Sequence, residues 1–294
     1  MRNTLIATVL VAGLLPAQTP KPTQEELAAA RESGIEGRLG FGFTNQYFFR
    51  GIRQEAAGVI FQPWIELGYD LLDDDTGLQD LRFVVGQWNS LHNGRTGPNG
   101  AIWYESQFYV GLEGQLADRW HVATRFNTYS TPNGAGFVTG LRNIEELAFY
   151  GRFDDEGVFS DDWALQPTVT LAFELNNSRD GLAGDEGIYL ELGVAPAFEV
   201  GKLGDSDVTV TVPAKVGLSL GDYYEAQTGG NDDFFGYFQV GGVASMPLNY
   251  LPARLGPWRG DVGLHLLVLG DNNENRNGGD TAEILFTVGM STVF

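Results

Sequence analysis

Cysteine is absent from the 294 residues. That removes disulfides, thiolate metal sites, thiol nucleophiles and the acceptor a lipoprotein anchor would need. Basic residues are scarce: 18 Lys and Arg stand against 38 Asp and Glu, a net charge of -20. Nucleic acid is thereby excluded as a partner, because neutralising phosphates takes a basic surface. Charged residues of both signs make up only 19% of the chain, and no internal run reaches the roughly 18 apolar residues of a spanning helix. This last absence leaves a transmembrane β-barrel open, since a barrel carries its lipid face in alternate residues and its hydropathy averages out. The mean hydropathy is -0.13.

What is present suits a strand-rich chain with many turns: 40 glycines and 12% aromatics. The first residues argue export. Arg2 supplies a positive start, Leu5 to Leu15 is a short apolar core, and Leu15-Pro16-Ala17 offers a cleavage point before Gln18, so residues 1–17 read as a signal peptide. Residues 18–35 form a polar leader. Within it Thr23-Gln24-Glu25-Glu26 matches a capping box, in which the Thr23 hydroxyl accepts from the Glu26 amide; a short periplasmic helix is expected there.

From residue 36 to 294 the chain reads as one all-β domain of about twelve strands, an up-and-down antiparallel transmembrane barrel. The period is two throughout. The first run sets Leu39, Phe41, Phe43, Tyr47 and Phe49 on the lipid face, against Arg38, Gly40, Gly42 and Arg50. The fourth sets Ile102, Tyr104 and Phe108 outward, against Trp103, Glu105, Gln107 and Tyr109. The cleanest alternation runs through Trp163–Asn176, Ile188–Val200 and Val208–Leu220. Polar, Gly/Asn-rich connections fall on alternate junctions (89–101, 131–143, 177–185, 222–232 and 271–280), where outward loops belong. Tyr69, Trp120, Phe153, Trp163, Phe198 and Phe294 gather at the inner ends as an interfacial girdle. A soluble sandwich would also alternate, but its outward face would be charged rather than Gly, Thr and Gln.

The last strand, Thr281 to Phe294, puts Ile284, Phe286, Val288 and Met290 on one face and stops on an aromatic. It resembles the final strand of bacterial outer-membrane barrels, where such an ending is an assembly signal. The resemblance assigns that role to Val288, Met290 and Phe294, with the barrel-assembly machinery as partner. A second resemblance is more particular. Tyr47-Phe48-Phe49-Arg50-Gly51-Ile52, followed by Gly86-Gln87-Trp88-Asn89-Ser90, is similar to the aromatic-x-x-Arg-Gly and Gly-x-Trp-x-Ser motifs of the TorF-like family of bacterial porins. Arg53 stands where that family carries Ser. The resemblance implies an outer-membrane barrel, with a channel as the expected activity and no defined substrate.

No catalysis, metal or cofactor is expected. A nucleophile needs a base within hydrogen-bond reach, yet His92 reads as a loop residue beside Ser90, and His121 and His265 sit mid-strand with no serine two residues away. Asp154/Asp155 and Asp232/Asp233 read as loop-solvating pairs. Asp271 to Asn275 has alternating oxygens, but Arg276 occupies the place of the sharp-turn glycine of a calcium loop, so a hydrated loop is expected. The residues on the wetter faces are then candidates for the lumen and its constriction: Arg38, Arg50, Glu66, Arg82, Glu105, Arg125, Glu174, Glu191, Lys215 and Glu283. Arg50 either narrows the pore or pairs with a neighbouring-strand carboxylate such as Glu66. Inward Trp64, Trp103, Tyr109 and Tyr189 narrow the lumen further. The expected function is a narrow passive channel for small solutes or ions in the outer membrane of a Gram-negative-type bacterium, mildly cation-preferring because of its acidic loops. The alternatives are a closed structural or interaction barrel and, less favoured, an outer-membrane enzyme.

Overall fold

Alternating side chains force a sheet to have one apolar and one polar face, and a sheet with no partner to cover its apolar face can only be solvated by lipid. The computed structural model describes residues 34–294, apart from 57, 73–76, 95–100, 135–142, 161–162, 177–185 and 226–230. The expected signal peptide, its cleavage point and the leader helix lie outside the described residues.

The strands are β1 (Ile35–Thr44), β2 (Tyr47–Phe49), β3 (Ile52–Glu55), β4 (Ile60–Leu72), β5 (Leu78–His92), β6 (Trp103–Leu116), β7 (Trp120–Ser130), β8 (Ile144–Phe153), β9 (Thr168–Asn176), β10 (Ile188–Val194), β11 (Ala197–Leu203), β12 (Ser206–Thr211), β13 (Ala214–Gly221), β14 (Phe235–Pro247), β15 (Arg259–Leu269) and β16 (Ala282–Val293). Among the described residues one α-helix, α1 (Asp271–Arg276), sits in the last outer connection, and a single 3-10 turn spans Ala253–Leu255. All but β2 and β3 form one antiparallel sheet closed by β1 against β16, from Arg38↔Val293 to Thr44↔Thr287. Because β10 with β11, and β12 with β13, are each one stave interrupted in the middle, the wall is a closed barrel of 12 strands. The chain's last residue completes the seam: the Gly37 amide donates to the Phe294 carbonyl at 2.7 Å and the Phe294 amide to Gly37 at 2.8 Å.

The two interruptions correct the long runs read from the sequence. Pro196 and Pro213 stand at the breaks, and proline has no N–H to give to a ladder. The wall stays continuous because the prolines still accept: Val212 donates to Pro196 O at 2.9 Å and Gly241 to Pro213 O at 2.9 Å. For the same reason β9 begins only after Pro167, so Trp163 and Leu165 belong to the preceding turn. That turn is organised by Asp155, which is buried and accepts from the amides of Leu165 (2.9 Å) and Gln166 (2.8 Å). Asp232 likewise accepts from Ser219 Oγ and Tyr224 N, and Asp233 from Asn272 N. Both acidic pairs therefore hold backbone instead of merely solvating loops. The segment expected as a hydrated loop is α1, with Asn273 and Asn277 buried.

A bulge corrects the face assignment of one strand. The β5–β6 register slips between Ser90 and Leu91, so that Ser90 faces Glu105 while Leu91 faces Trp103. One extra residue at a bulge moves the flanking side chains to the opposite face. Tyr104 therefore turns inward at 4% exposure, and Trp103 turns outward at 44%; Trp103 does not narrow the lumen.

Along the other strands of the barrel wall the faces follow the pattern. Ile65, Leu67, Phe83, Phe108, Phe126, Phe149, Leu192, Leu264, Ile284 and Phe286 are exposed around the outside. Glu66, Glu105, Gln107, Arg125, Glu146, Thr170 and Glu191 are buried within. Tyr69, Trp120, Trp163, Phe198 and Phe294 are exposed near the end where β1 begins and β16 finishes, with Trp120 and Phe153 rings 4.8 Å apart. That end is the inner one, and the longer connections mark the outer end.

Candidate functional site

The stretch after β1 does not continue up the wall. Tyr47-Phe48-Phe49 is apolar at every position, which no half-wet strand tolerates, and Arg50-Gly51 then reverses the chain. Arg50 has φ 50° and Gly51 φ 80°, and Phe49 pairs with Ile52 across them. Two consecutive positive φ values in a two-residue connection are those of a type I′ hairpin turn. Gly51 is needed twice over, for its backbone and for space: a Cβ there would lie 2.8 Å from Tyr237 Cδ1.

The β2–β3 hairpin lies inside the outer half of the barrel with both faces covered. Tyr47 and Phe49 join Ile60, Trp88, Tyr104, Tyr129 and Ile144. Phe48 and Ile52 join a cluster that includes Tyr189, Tyr223, Tyr224, Tyr237, Leu267, Leu269 and Leu285. Tyr47 and Phe49 are therefore buried inside the barrel, not lipid-facing, because β1 ends at Thr44 and the chain turns inward.

Polar contacts fix the hairpin at both ends. Tyr47 Oη donates to Glu105 at 2.8 Å. At the tip, Arg50 donates to the two oxygens of Glu146 at 2.5 and 3.1 Å, and its guanidinium sits 4.2 Å from the centre of the Tyr189 ring. Tyr224 Oη donates to the Arg50 carbonyl at 2.9 Å. Arg53 donates to the Asn277 carbonyl just past α1 at 2.9 Å. Arg50 is thus at the centre of the lumen, paired across it with β8, and not with Glu66.

Below the hairpin, toward the inner end, three arginines and three glutamates interlock. Glu66 receives Arg125 Nη2 (2.9 Å), Arg38 Nη1 (3.3 Å) and Tyr109 Oη (2.9 Å). Glu113 faces Arg82 Nη1 at 3.2 Å and Arg38 Nη2 at 3.8 Å, and Glu36 accepts from Arg38 Nε at 2.5 Å. On the next wall Glu191 accepts from Lys215 (3.1 Å), Tyr189 (2.8 Å) and Tyr237 (2.5 Å). The remaining predicted lumen residues stand near the outer end. Glu174 accepts from the Gly187 amide at 2.9 Å, and Glu283 from Gln46 (3.0 Å) and Asn277 (2.9 Å). All ten candidates face inward, and they separate into a hairpin lock, an inner charge cluster and rim fastenings. Tyr223 and Tyr224 fell in a stretch read as an outward loop; their consecutive aromatics were the only hint that it folds back over the lumen.

His92 closes β5 instead of lying in a loop. Ser90 Oγ is 2.9 Å from His92 Nε2, and His92 Nδ1 is 3.4 Å from Glu55 of the hairpin. The order of groups is that of a nucleophile relay, but Ser90 and His92 are sealed beneath the hairpin and the His92 ring stacks on Tyr104 at 4.4 Å. As built, the chain of contacts ties the hairpin's second strand to the wall. The two sequence motifs also meet: Trp88 lies 5.6 Å from Tyr47, ring to ring, and Gly86 has no room for a side chain because the Tyr109 ring lies against it.

Apolar outside, charged inside and closed upon itself, this is a transmembrane β-barrel with an inserted hairpin. No family model matches the chain, and no curated protein matches it in sequence. Among solved structures, the COG4313 outer membrane channel from Pseudomonas putida F1 is similar over 98% of this chain and 100% of that chain, at 10% identity and a TM-score of 0.49. The NanC porin is similar over 88% of this chain and 98% of its own, at 12% identity and a TM-score of 0.43. The KdgM porin, solved in complex with disordered oligogalacturonate, covers 88% and 99% at 10% identity, with a TM-score of 0.38.

Proposed function

We propose that this protein is an outer-membrane channel, narrow and passive, for small solutes or ions with a mild preference for cations. The observation that carries the reading is the division of the lumen. Below the hairpin the barrel is lined by paired charges, which a lipid-embedded wall would not hold unless they faced water or one another. The narrowing above comes from an inserted segment and not from the wall. The TorF-like motifs supply the two surfaces that meet at this narrowing, Tyr47 and Trp88. Acidic connections at the mouths bias the field toward cations, and salt screens that bias beyond a Debye length of about 10 Å at 0.1 M.

Refolded protein in a planar bilayer under a KCl gradient tests the reading. Small conductance steps are expected, with a cation-selective reversal potential that weakens as salt rises; anion selectivity would overturn the electrostatic part. Absence of any conductance would favour the second reading, a closed structural or interaction barrel. That reading has its own support in the hairpin, whose two faces are both buried in apolar clusters.

The C-terminal strand is proposed as the segment engaged by the barrel-assembly machinery, with Val288 exposed to lipid, Met290 beside it and Phe294 completing the seam. Deleting Phe294 removes both of its backbone hydrogen bonds to Gly37. Export is expected to continue while the amount of heat-modifiable barrel in the membrane fraction falls. Unchanged insertion would show that the terminal residue is dispensable.

A further inference from the structure

The two sides of the lumen differ in what water reaches. On β7 and β8 every inward side chain is buried, from His121 to Tyr129 and from Ile144 to Arg152. Further round the wall, four inward residues are only half-buried: Thr168 on β9, Gly193 on β10, Lys215 on β13 and Gln239 on β14. The register makes them direct neighbours, with Thr168 beside Gly193, Gly193 beside Lys215, and Lys215 beside Gln239. Four partly exposed positions in one unbroken row mark a wetted strip of the wall.

The charges divide in the same way. In the inner cluster the side chains of Arg38, Arg82, Arg125, Glu36, Glu66 and Glu113 are at most 11% exposed. Lys215 is 27% exposed. Its ammonium lies 3.1 Å from Glu191 Oε2 and 5.7 Å from the centre of the Tyr237 ring. The same carboxylate oxygen accepts from the hydroxyls of Tyr189 and Tyr237, in a side chain only 7% exposed. The negative member of the pair is therefore held in the wall, and the positive member is the one in reach of water. An ammonium is a compact, strongly hydrated charge with three N–H donors on a flexible stem. One goes to Glu191, which leaves two for water or a passing anion.

We infer that the water path through the inner half of the barrel is off-centre, following the strip from β9 to β14, and that Lys215 is the residue that sets ion preference along it. The arginine cluster carries more charge but keeps it paired internally and away from water. An ion that follows the strip meets a positive group first, with the counter-charge behind it. Lys215 then opposes the field of the acidic mouths, and the mild preference for cations is the difference between the two. The inference deepens the channel reading and rests on it for the role in permeation, though not for which residues water reaches.

The absence of cysteine from the chain allows a test independent of conduction. Thr168→Cys and Gln239→Cys proteins, refolded in detergent, should react with methanethiosulfonates, whereas Gln107→Cys, on β6 and 2% exposed, should not. At position 239, directly opposite Lys215, the sulfonatoethyl reagent should outpace the trimethylammonium-ethyl one. A unit charge about 6 Å away in water-like surroundings shifts each rate by about threefold, in opposite senses. Glu191 offsets part of this, so a ratio of about threefold is expected. Adding Lys215→Gln should remove or invert the ratio, and Lys215→Arg should keep it. In the bilayer, Lys215→Gln alone should move the reversal potential further toward the cation value. No labelling at 168 and 239, equally fast labelling at 107, or a ratio that survives Lys215→Gln would overturn the inference. Conductance with ion preference unaltered in Lys215→Gln would keep the channel and overturn the role of Lys215. The expected labelling in a protein that conducts nothing would sink the channel reading and keep the wetted strip with Lys215 on it.

Discussion

Arg50→Ala is expected to destabilise the barrel by about 3–5 kcal/mol, the cost of leaving one member of a buried pair without the other. Glu146 would keep only Asn127 Nδ2 at 3.2 Å and Tyr129 Oη at 3.1 Å, neither of them charged. Removing both charges together, as Arg50→Met with Glu146→Leu, should recover much of the loss, because a buried ion pair is expensive to break but adds little over an apolar pair. Denaturant unfolding in detergent measures the first effect, and the double-mutant cycle separates pair from packing. Since Arg50 is also the hairpin's tip, the single variant should show larger or more frequent conductance steps than its parent. A variant that unfolds like the parent and conducts identically would mean that the Arg50–Glu146 pair does not hold the hairpin.

Leu192→Arg is expected to cost about 2–4 kcal/mol, the penalty for a charge on the lipid face near mid-bilayer. Leu192 is 45% exposed on the outside of β10, with Val169 on one neighbour and Val216 on the other. Thr209→Arg, an inward position on β12, should change stability little, because its side chain can reach the inner mouth. Reversible unfolding of both variants in the same lipid decides it; equal penalties would contradict the inside-out assignment of this wall.

The wall was legible because lipid outside and water or paired charge inside impose a period of two that survives in single residues. Leu190, Leu192 and Val194 against Tyr189, Glu191 and Gly193 need no structure to be sorted. The hairpin was not legible for the same reason. Phe43, Tyr47 and Phe49 keep the parity of β1, so a reading by alternation runs straight through Thr44 into the lumen. The contrary signal was present in Phe48, an apolar residue in what should have been a wet position, followed by a two-residue turn at Arg50-Gly51. Prolines 196 and 213 also marked their own breaks. The bulge at Tyr104 left no local mark, since either of Trp103 and Tyr104 can face lipid or lumen. Of the site, the inward charges were readable, but their partners were not: Arg50 meets Glu146 across the barrel, a distance no period encodes.

The hairpin's two faces meet partly different parts of the chain. Among the described residues Tyr47 and Phe49 cluster with residues from Ile60 to Ile144, whereas the Phe48 and Ile52 cluster runs from Ala123 of β7 out to Leu285 of β16. The hairpin follows the first stave in sequence, so it is made well before the last stave that zips onto the first. During biogenesis one face can dock on the early staves while the other still waits for its wall. That waiting face is an apolar template on which the late strands can register before the seam shuts. The same segment that narrows the finished pore would then act as the mandrel around which the cylinder is wound.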